Sequence, residues 1–180
     1  MQCSFRLKKE LERFRNEPAS GISLWPTENI NQLKASVMGP SGTPYENGVF
    51  YIDIQVPDKY PFVPPNVRFI TAIYHPNVDD SGRICLDTLK LPPQGSWKPS
   101  LNLVSILINI QLLMGEPNFN DPLMDDIAKE YQMNRESFIK HAQEWTKRHA
   151  VPSKNDQPAI TSVKQSADNF DLPETKRMRF

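Results

Sequence analysis

Cysteine is scarce in this chain, with two among 180 residues, Cys3 and Cys85. Two cysteines build no disulfide framework, and no Cys-x-x-Cys pair offers zinc spacing. Free thiols in a reducing, intracellular compartment are therefore expected. An excess of one charge is missing too: Lys+Arg and Asp+Glu are each 21. A general nucleic-acid binder needs a basic excess on at least one face, so no direct nucleic-acid contact is expected. Long apolar runs are also absent. The most apolar stretch, LVSILINIQLLM at 103–114, is too short to span a bilayer and includes Asn109 and Gln111. The first residues are charged and lack an apolar h-region, so neither a signal peptide nor a membrane partner is expected.

What remains is ordinary for one globular domain with an extension. Phe5, Leu7, Leu11 and Phe14 recur at helical spacing before Pro18, which predicts an amphipathic first helix over 3–16. Its Arg6, Lys8, Lys9, Arg13 and Arg15 read either as a solvated face or as a docking face. Leu33, Ala35 and Val37 alternate with polar residues. Phe50, Ile52, Ile54 and Val56 do so more cleanly, and NVRFI at 66–70 follows a break of four prolines. The connections are too short for crossover helices, so the strands form an antiparallel meander. Residues 71–99 show no period, which in a compact domain points to function. Helical patterns cover 101–114, 122–131 and 134–149. Asp121 is the expected N-cap of the second, with Pro122 at its first position and Asp125 and Asp126 in its first turn. Strands followed by helices make an α+β fold. From 153 to 180 the chain is polar and without period, a disordered tail by composition, and its KRMR is too short to specify nuclear import.

The aperiodic segment contains YHPNVDDSGRICLDTLK, residues 74–90. From Asn77 it matches the first half of a calcium loop, but the twelfth position is Thr88 instead of a bidentate Glu. Asp79, Asp80 and Gly82 are better read as a tight turn, and no metal is expected. A papain-like nucleophile would need an imidazole base. Here His75 is pinned by Pro76, and His141 and His149 lie on the last helix. A thiol that exchanges acyl groups with another thiol needs no strong base. It needs exposure, an oxyanion donor such as Asn77, and a groove for an extended peptide. From these residues alone, a buried structural cysteine is an equally good reading.

His75-Pro76-Asn77, with Cys85 eight residues beyond the asparagine, resembles the signature of the ubiquitin-conjugating enzymes. The resemblance continues through PYENGVFYIDIQVPDKYPFVPPNVRF and WKPSLNLVSILINIQLLMGEPNFNDPL and covers roughly residues 3–150. It implies a four-stranded antiparallel sheet with an N-terminal helix and C-terminal helices, in a catalytic domain over 1–152. It implies that Cys85 receives ubiquitin as a thioester, that Asn77 supports the oxyanion or holds the active-site loop, and that His75 and Pro76 shape that loop. Asp121, and more weakly Asp87, would orient the incoming lysine, with Asp121 favouring its neutral form. Phe62, Trp97, Lys98 and Pro99 would meet a RING domain. Arg6 and Lys9 would form the helix face shared by the activating enzyme and the ligase, and Ile108 would touch the donor ubiquitin.

The long loop between Cys85 and Trp97 resembles the branch that works with the Fanconi anaemia RING ligase in monoubiquitination during DNA crosslink repair, which implies a nuclear location. No cofactor is expected, since the activating enzyme uses the ATP. A non-catalytic ubiquitin-binding module of the same fold is the alternative, but such variants lack the cysteine. GISLWPTENI departs from the family pattern for a back-face ubiquitin site, so the resemblance does not carry that site over. Lys90, five residues past Cys85 on a loop expected to move, should undergo slow self-ubiquitination.

Overall fold

The computed structural model describes residues 2–152; the expectations for the tail at 153–180 lie outside them. Four strands, β1 Ile22–Pro26, β2 Gln32–Met38, β3 Val49–Gln55 and β4 Asn66–Phe69, pair in sequence order, each antiparallel to the next. The helices are α1 Gln2–Asn16, α2 Leu103–Gly115, α3 Asp125–Met133 and α4 Arg135–His149. The α+β meander is therefore as expected, with β1 as the strand that no clean alternation had marked. Its Ile22 is buried, but Leu24 and Trp25 are both only half-buried at the sheet's edge.

The alternating residues of β2 and β3 form one wall of the core. Leu33, Ala35, Val37, Phe50, Ile52 and Ile54 are all buried, in one cluster with Leu103, Ile106, Leu107 and Ile110 of α2. Each of the larger side chains here contributes about 1.5–3 kcal/mol when fully buried. Helix α1 adds Leu7, Leu11 and Phe14, but Phe5 is 63% exposed. At the helix end it has no layer to pack under, contrary to its place in the apolar pattern.

Two helix starts decide where the site lies. Asn102 caps α2: its side chain accepts from the Ser105 N–H, and the Ser105 hydroxyl accepts from the Asn102 N–H. Helix α3 does not begin where its sequence suggested. Its N-cap is Met124, with no side-chain capping bond, and Asp125 and Asp126 occupy its first turn. The N–H groups of Leu123 and Met124 donate instead to the carbonyl of Pro76, at 2.9 and 3.0 Å. Asp121 is thus not an N-cap. Those backbone bonds hold 121–124 outside the helix and leave its carboxylate free for other work.

Candidate functional site

Residues 74–90 fold back on themselves around a tight turn. Asp79 makes it: Oδ1 accepts from the backbone N–H of Ser81 and Arg83 and from the Ser81 hydroxyl, and Oδ2 from the Arg83 guanidinium at 2.6 Å. Burial pushes the Asp79 carboxyl up, but the bonds from Ser81 and Arg83 outweigh it and hold its pKa down at about 2. Both carboxylate oxygens are occupied by the chain itself, which explains the half-formed calcium pattern as a turn. Gly82 has φ 81°, and any Cβ there would collide with the Phe69 carbonyl.

The turn returns the chain so that the Cys85 N–H donates to the Asn77 carbonyl at 2.9 Å. His75 is buried beneath, its Nδ1 accepting from the Asn77 N–H and its Nε2 donating to the Leu113 carbonyl. Burial lowers its pKa to about 4, against a smaller opposing effect of the bond to Leu113. With both nitrogens engaged and the ring neutral, it shapes the loop and cannot serve as a base at neutral pH. Pro76, also buried, offers the carbonyl that holds Leu123 and Met124.

Asn77 is 0% exposed. Its amide nitrogen donates to the carbonyls of Asn118 at 2.6 Å and Asp121 at 3.2 Å, and its Oδ1 accepts from the Asn118 N–H at 2.8 Å. Of the two roles left open for it, these bonds describe the loop-holding one: Asn77 fastens 118–121 beside Cys85. Phe119, between them, packs on Tyr131 of α3 at 4.6 Å between ring centroids.

That fastening brings Asp121 over the thiol. Cys85 Sγ donates to Asp121 Oδ2 at 2.9 Å, and Lys90 Nζ donates to Sγ at 3.1 Å and to the same Oδ2 at 2.7 Å. Cys85 is only 6% exposed, so the thiol expected at the surface is covered by these two side chains. Burial raises its pKa, as does Asp121 by accepting the S–H, while the Lys90 ammonium pulls it down. The net direction is upward: Cys85 is a thiol at neutral pH. Lys90 is raised well above the usual lysine value by its bonds to Asp121 and then to Cys85. Asp121 is lowered by Cys85 and then Lys90.

Asp121 is an anionic carboxylate that holds the Lys90 ammonium charged beside it, and the same carboxylate can orient a lysine at this position. One expectation changes here: the loop to Lys90 is not a free arm. Asp87–Leu89 is a 3-10 turn, the Asp87 carbonyl accepts from Ser96, and the Lys90 carbonyl accepts from Trp97. Gly95 closes this loop where a Cβ would strike the carbonyls of Asp87 and Lys90. The Asp87 side chain is exposed and takes no part in the hydrogen bonds that join Cys85, Lys90 and Asp121.

The expected docking residues divide. Phe62 is 67% exposed, and Lys98 and Pro99 are exposed. Trp97 is not at the surface: it is 2% exposed, against Tyr60, and its Nε1 donates to the Pro61 carbonyl. It supports the Phe62 loop from below and touches no partner directly, because its own loop and the Tyr60 turn enclose it. Arg6 is half-buried, held by Glu10 and the Leu101 carbonyl, whereas Lys9 is exposed with Nζ over the Phe5 ring. Ile108 and Leu112, four residues apart on α2, are exposed on one face, so Ile108 is not a core position. Glu10 and Tyr60 escaped the sequence reading. A signal existed, since Glu10 falls on the stripe of Leu7, Leu11 and Phe14.

A family model described as ubiquitin-conjugating enzyme matches residues 6–146. The chain is 53% identical over 154 residues to ubiquitin-conjugating enzyme E2 T of Xenopus laevis, covering 85% of this chain and 80% of that protein. It is 52% identical over 151 residues to the Homo sapiens protein of the same name, covering 83% and 77%. Ubiquitin-conjugating enzyme E2 N of Drosophila melanogaster is 44% identical over 147 residues, covering 81% and 95%.

Proposed function

We propose that this chain, which belongs to the ubiquitin-conjugating enzyme family, carries ubiquitin as a thioester on Cys85 and delivers it to a substrate lysine presented with a RING ligase. Membership makes it a ubiquitin-transferring enzyme whose partners are ubiquitin, an activating enzyme and a ligase. The observation that supports the finer mechanism is the triangle of Cys85 Sγ, Asp121 Oδ2 and Lys90 Nζ, all within 3.1 Å of one another.

In charging, Cys85 Sγ attacks the ubiquitin thioester on the activating enzyme. A new S–C bond forms, the old one breaks, and the Cys85 proton passes by way of Asp121 to the leaving thiolate. In discharge, a lysine amine attacks the Cys85 thioester, a C–N bond replaces the S–C bond, and Asp121 takes a proton from the attacking nitrogen. Thiol and thiolate exchange nearly evenly in energy, so no triad is needed. No cofactor sits on this chain in the mechanism.

The long 86–96 loop and the likeness to E2 T proteins support a finer assignment: monoubiquitination in DNA crosslink repair, with the Fanconi anaemia RING ligase, in the nucleus. Without substrate, Lys90 becomes the acceptor. Asp121 keeps it as ammonium, so self-transfer is slow and quickens as pH rises. An intact Lys90 in a mass-spectrometric map after prolonged charging would refute this.

The deciding experiment mixes the protein with activating enzyme, ubiquitin and ATP. Non-reducing and reducing gels are run beside a Cys85→Ser variant. A band one ubiquitin heavier, removed by thiol reductant and made resistant by the serine variant, is expected. A folded protein that forms no such band would instead be a binding module.

A further inference from the structure

Glu10 is a charged side chain in an unusual place for a surface helix. Its carboxylate is 12% exposed and is encircled by donors from three separate parts of the chain. Oε1 accepts from Arg6 Nε at 2.7 Å and from the Tyr60 hydroxyl at 2.7 Å. Oε2 accepts from the same hydroxyl at 2.9 Å and from the backbone N–H of Leu103, the first residue of α2, at 3.0 Å. That N–H is one of the donors a helix start leaves without a partner, and an anion there is favoured by the helix dipole.

The partners lead directly to the exposed docking residues. Tyr60 lies within the turn that presents Phe62, and its ring lies against Trp97. Trp97 in turn bonds the Pro61 carbonyl and precedes Lys98 and Pro99. Arg6 extends the same system by donating to the Leu101 carbonyl at 2.8 Å. The Tyr60 phenol is raised, first by burial and then by Glu10, so it stays a donor at every working pH.

We infer that Glu10 is the positioning residue of the ligase-docking surface, joining α1, the Phe62 turn and the 97–101 loop to the start of the helix that carries Ile108. Glu10 touches neither ubiquitin nor the reacting atoms. It fixes the spacing between Phe62 and Lys98–Pro99, which a rigid partner must meet together, and closes those loops onto α2. The inference rests on the RING-ligase reading proposed above.

The test compares Glu10→Gln with the wild type in three measurements. Ubiquitin is first loaded, the activating enzyme is stopped, and discharge to free lysine is followed without ligase; Glu10→Gln should match the wild type. Binding to the RING domain of the Fanconi anaemia ligase is then titrated and should be about tenfold weaker, about 1.4 kcal/mol. Tyr60→Phe should weaken binding less, and the double variant no further than Glu10→Gln alone, because both act through one carboxylate. Equal RING binding by Glu10→Gln overturns the inference. So does a matching loss in ligase-free discharge, which would mark a general structural defect. A wild-type chain that fails to bind overturns the ligase reading itself, and this inference with it.

Discussion

Asn77 offers the sharpest test, because its two possible roles leave opposite traces. If it fastens 118–121, as its bonds describe, Asn77→Ala removes three hydrogen bonds made by a fully buried side chain. Each is worth about 0.5–1.5 kcal/mol net, so the loss is about 3 kcal/mol. Water reaching the half-exposed Asn118 would reduce it toward about 2 kcal/mol. For a domain of this size each kcal/mol moves the midpoint about 2–4 °C, so the melting temperature should fall by about 4–12 °C. Asp121 would lose its mooring, and lysine discharge should slow along with the fall in stability. Asn77→Asp is a stricter version. One oxygen still accepts from Asn118, but the other faces two carbonyls, so folding favours the neutral carboxyl and raises its pKa above the unfolded value. Such a group's contribution is complete below the unfolded pKa, about 3.9, and is lost as pH rises toward the folded pKa. Asn77→Asp should thus be more stable at pH 4 than at pH 7 relative to Asn77→Ala. Calorimetry and single-turnover discharge on the same samples decide the matter. A midpoint shift of Asn77→Ala under about 2 °C, with discharge slowed about 100-fold as loss of one oxyanion donor would do, would refute the fastening role.

The remaining expectations concern other parts of the site. Burial and then Asp121 raise the Cys85 thiol, and Asp121 also covers it. Alkylation by iodoacetamide at pH 7.5 should therefore speed up in Asp121→Asn; an unchanged or slower rate would refute the triangle. Trp97→Ala should cost about 3–5 kcal/mol in urea unfolding, as buried aromatics do. Phe62→Ala should stay within about 0.5 kcal/mol yet abolish RING binding, and a surface role for Trp97 would equalise the two in stability. His75, lowered to about 4 in the fold from about 6.5 unfolded, is protonated first in the unfolded chain. Its contribution is full above about pH 6.5 and lost as pH falls to about 4, about 3 kcal/mol in all. A His75→Gln variant with the same acid dependence would count against this.

Local features were legible where local physics decides them. The alternation of β2 and β3 reports a sheet with one dry face, and the apolar period over 101–114 reports the helix found at Leu103–Gly115. Phe5 misled because periodicity reports which face a residue occupies, not whether the core extends that far. NDPLMDD misled because Asp121 followed by Pro122 reads locally as a cap and a first helical turn. The helix instead starts after Met124, where the Pro76 carbonyl, far away in sequence, holds the N–H groups of Leu123 and Met124. Lys90 looked mobile because its tethers are backbone bonds from Ser96 and Trp97, which leave no side-chain pattern.

The resemblance made Asp121 a helper of a neutral incoming lysine; in the free protein the same carboxylate lies 2.7 Å from the chain's own Lys90 ammonium and holds it charged. That pairing sets the order of events. With the thiol protonated and covered, the cover must open before Cys85 can reach an acyl group. The Lys90–Asp121 pair is more than a third exposed on both sides, and exposed pairs are weak and salt-screened, so opening is easy. Under the thioester reading proposed above, the pair therefore covers the resting thiol without blocking charging. Raising salt should accelerate alkylation of Cys85 in the wild type and leave Lys90→Ala unaffected.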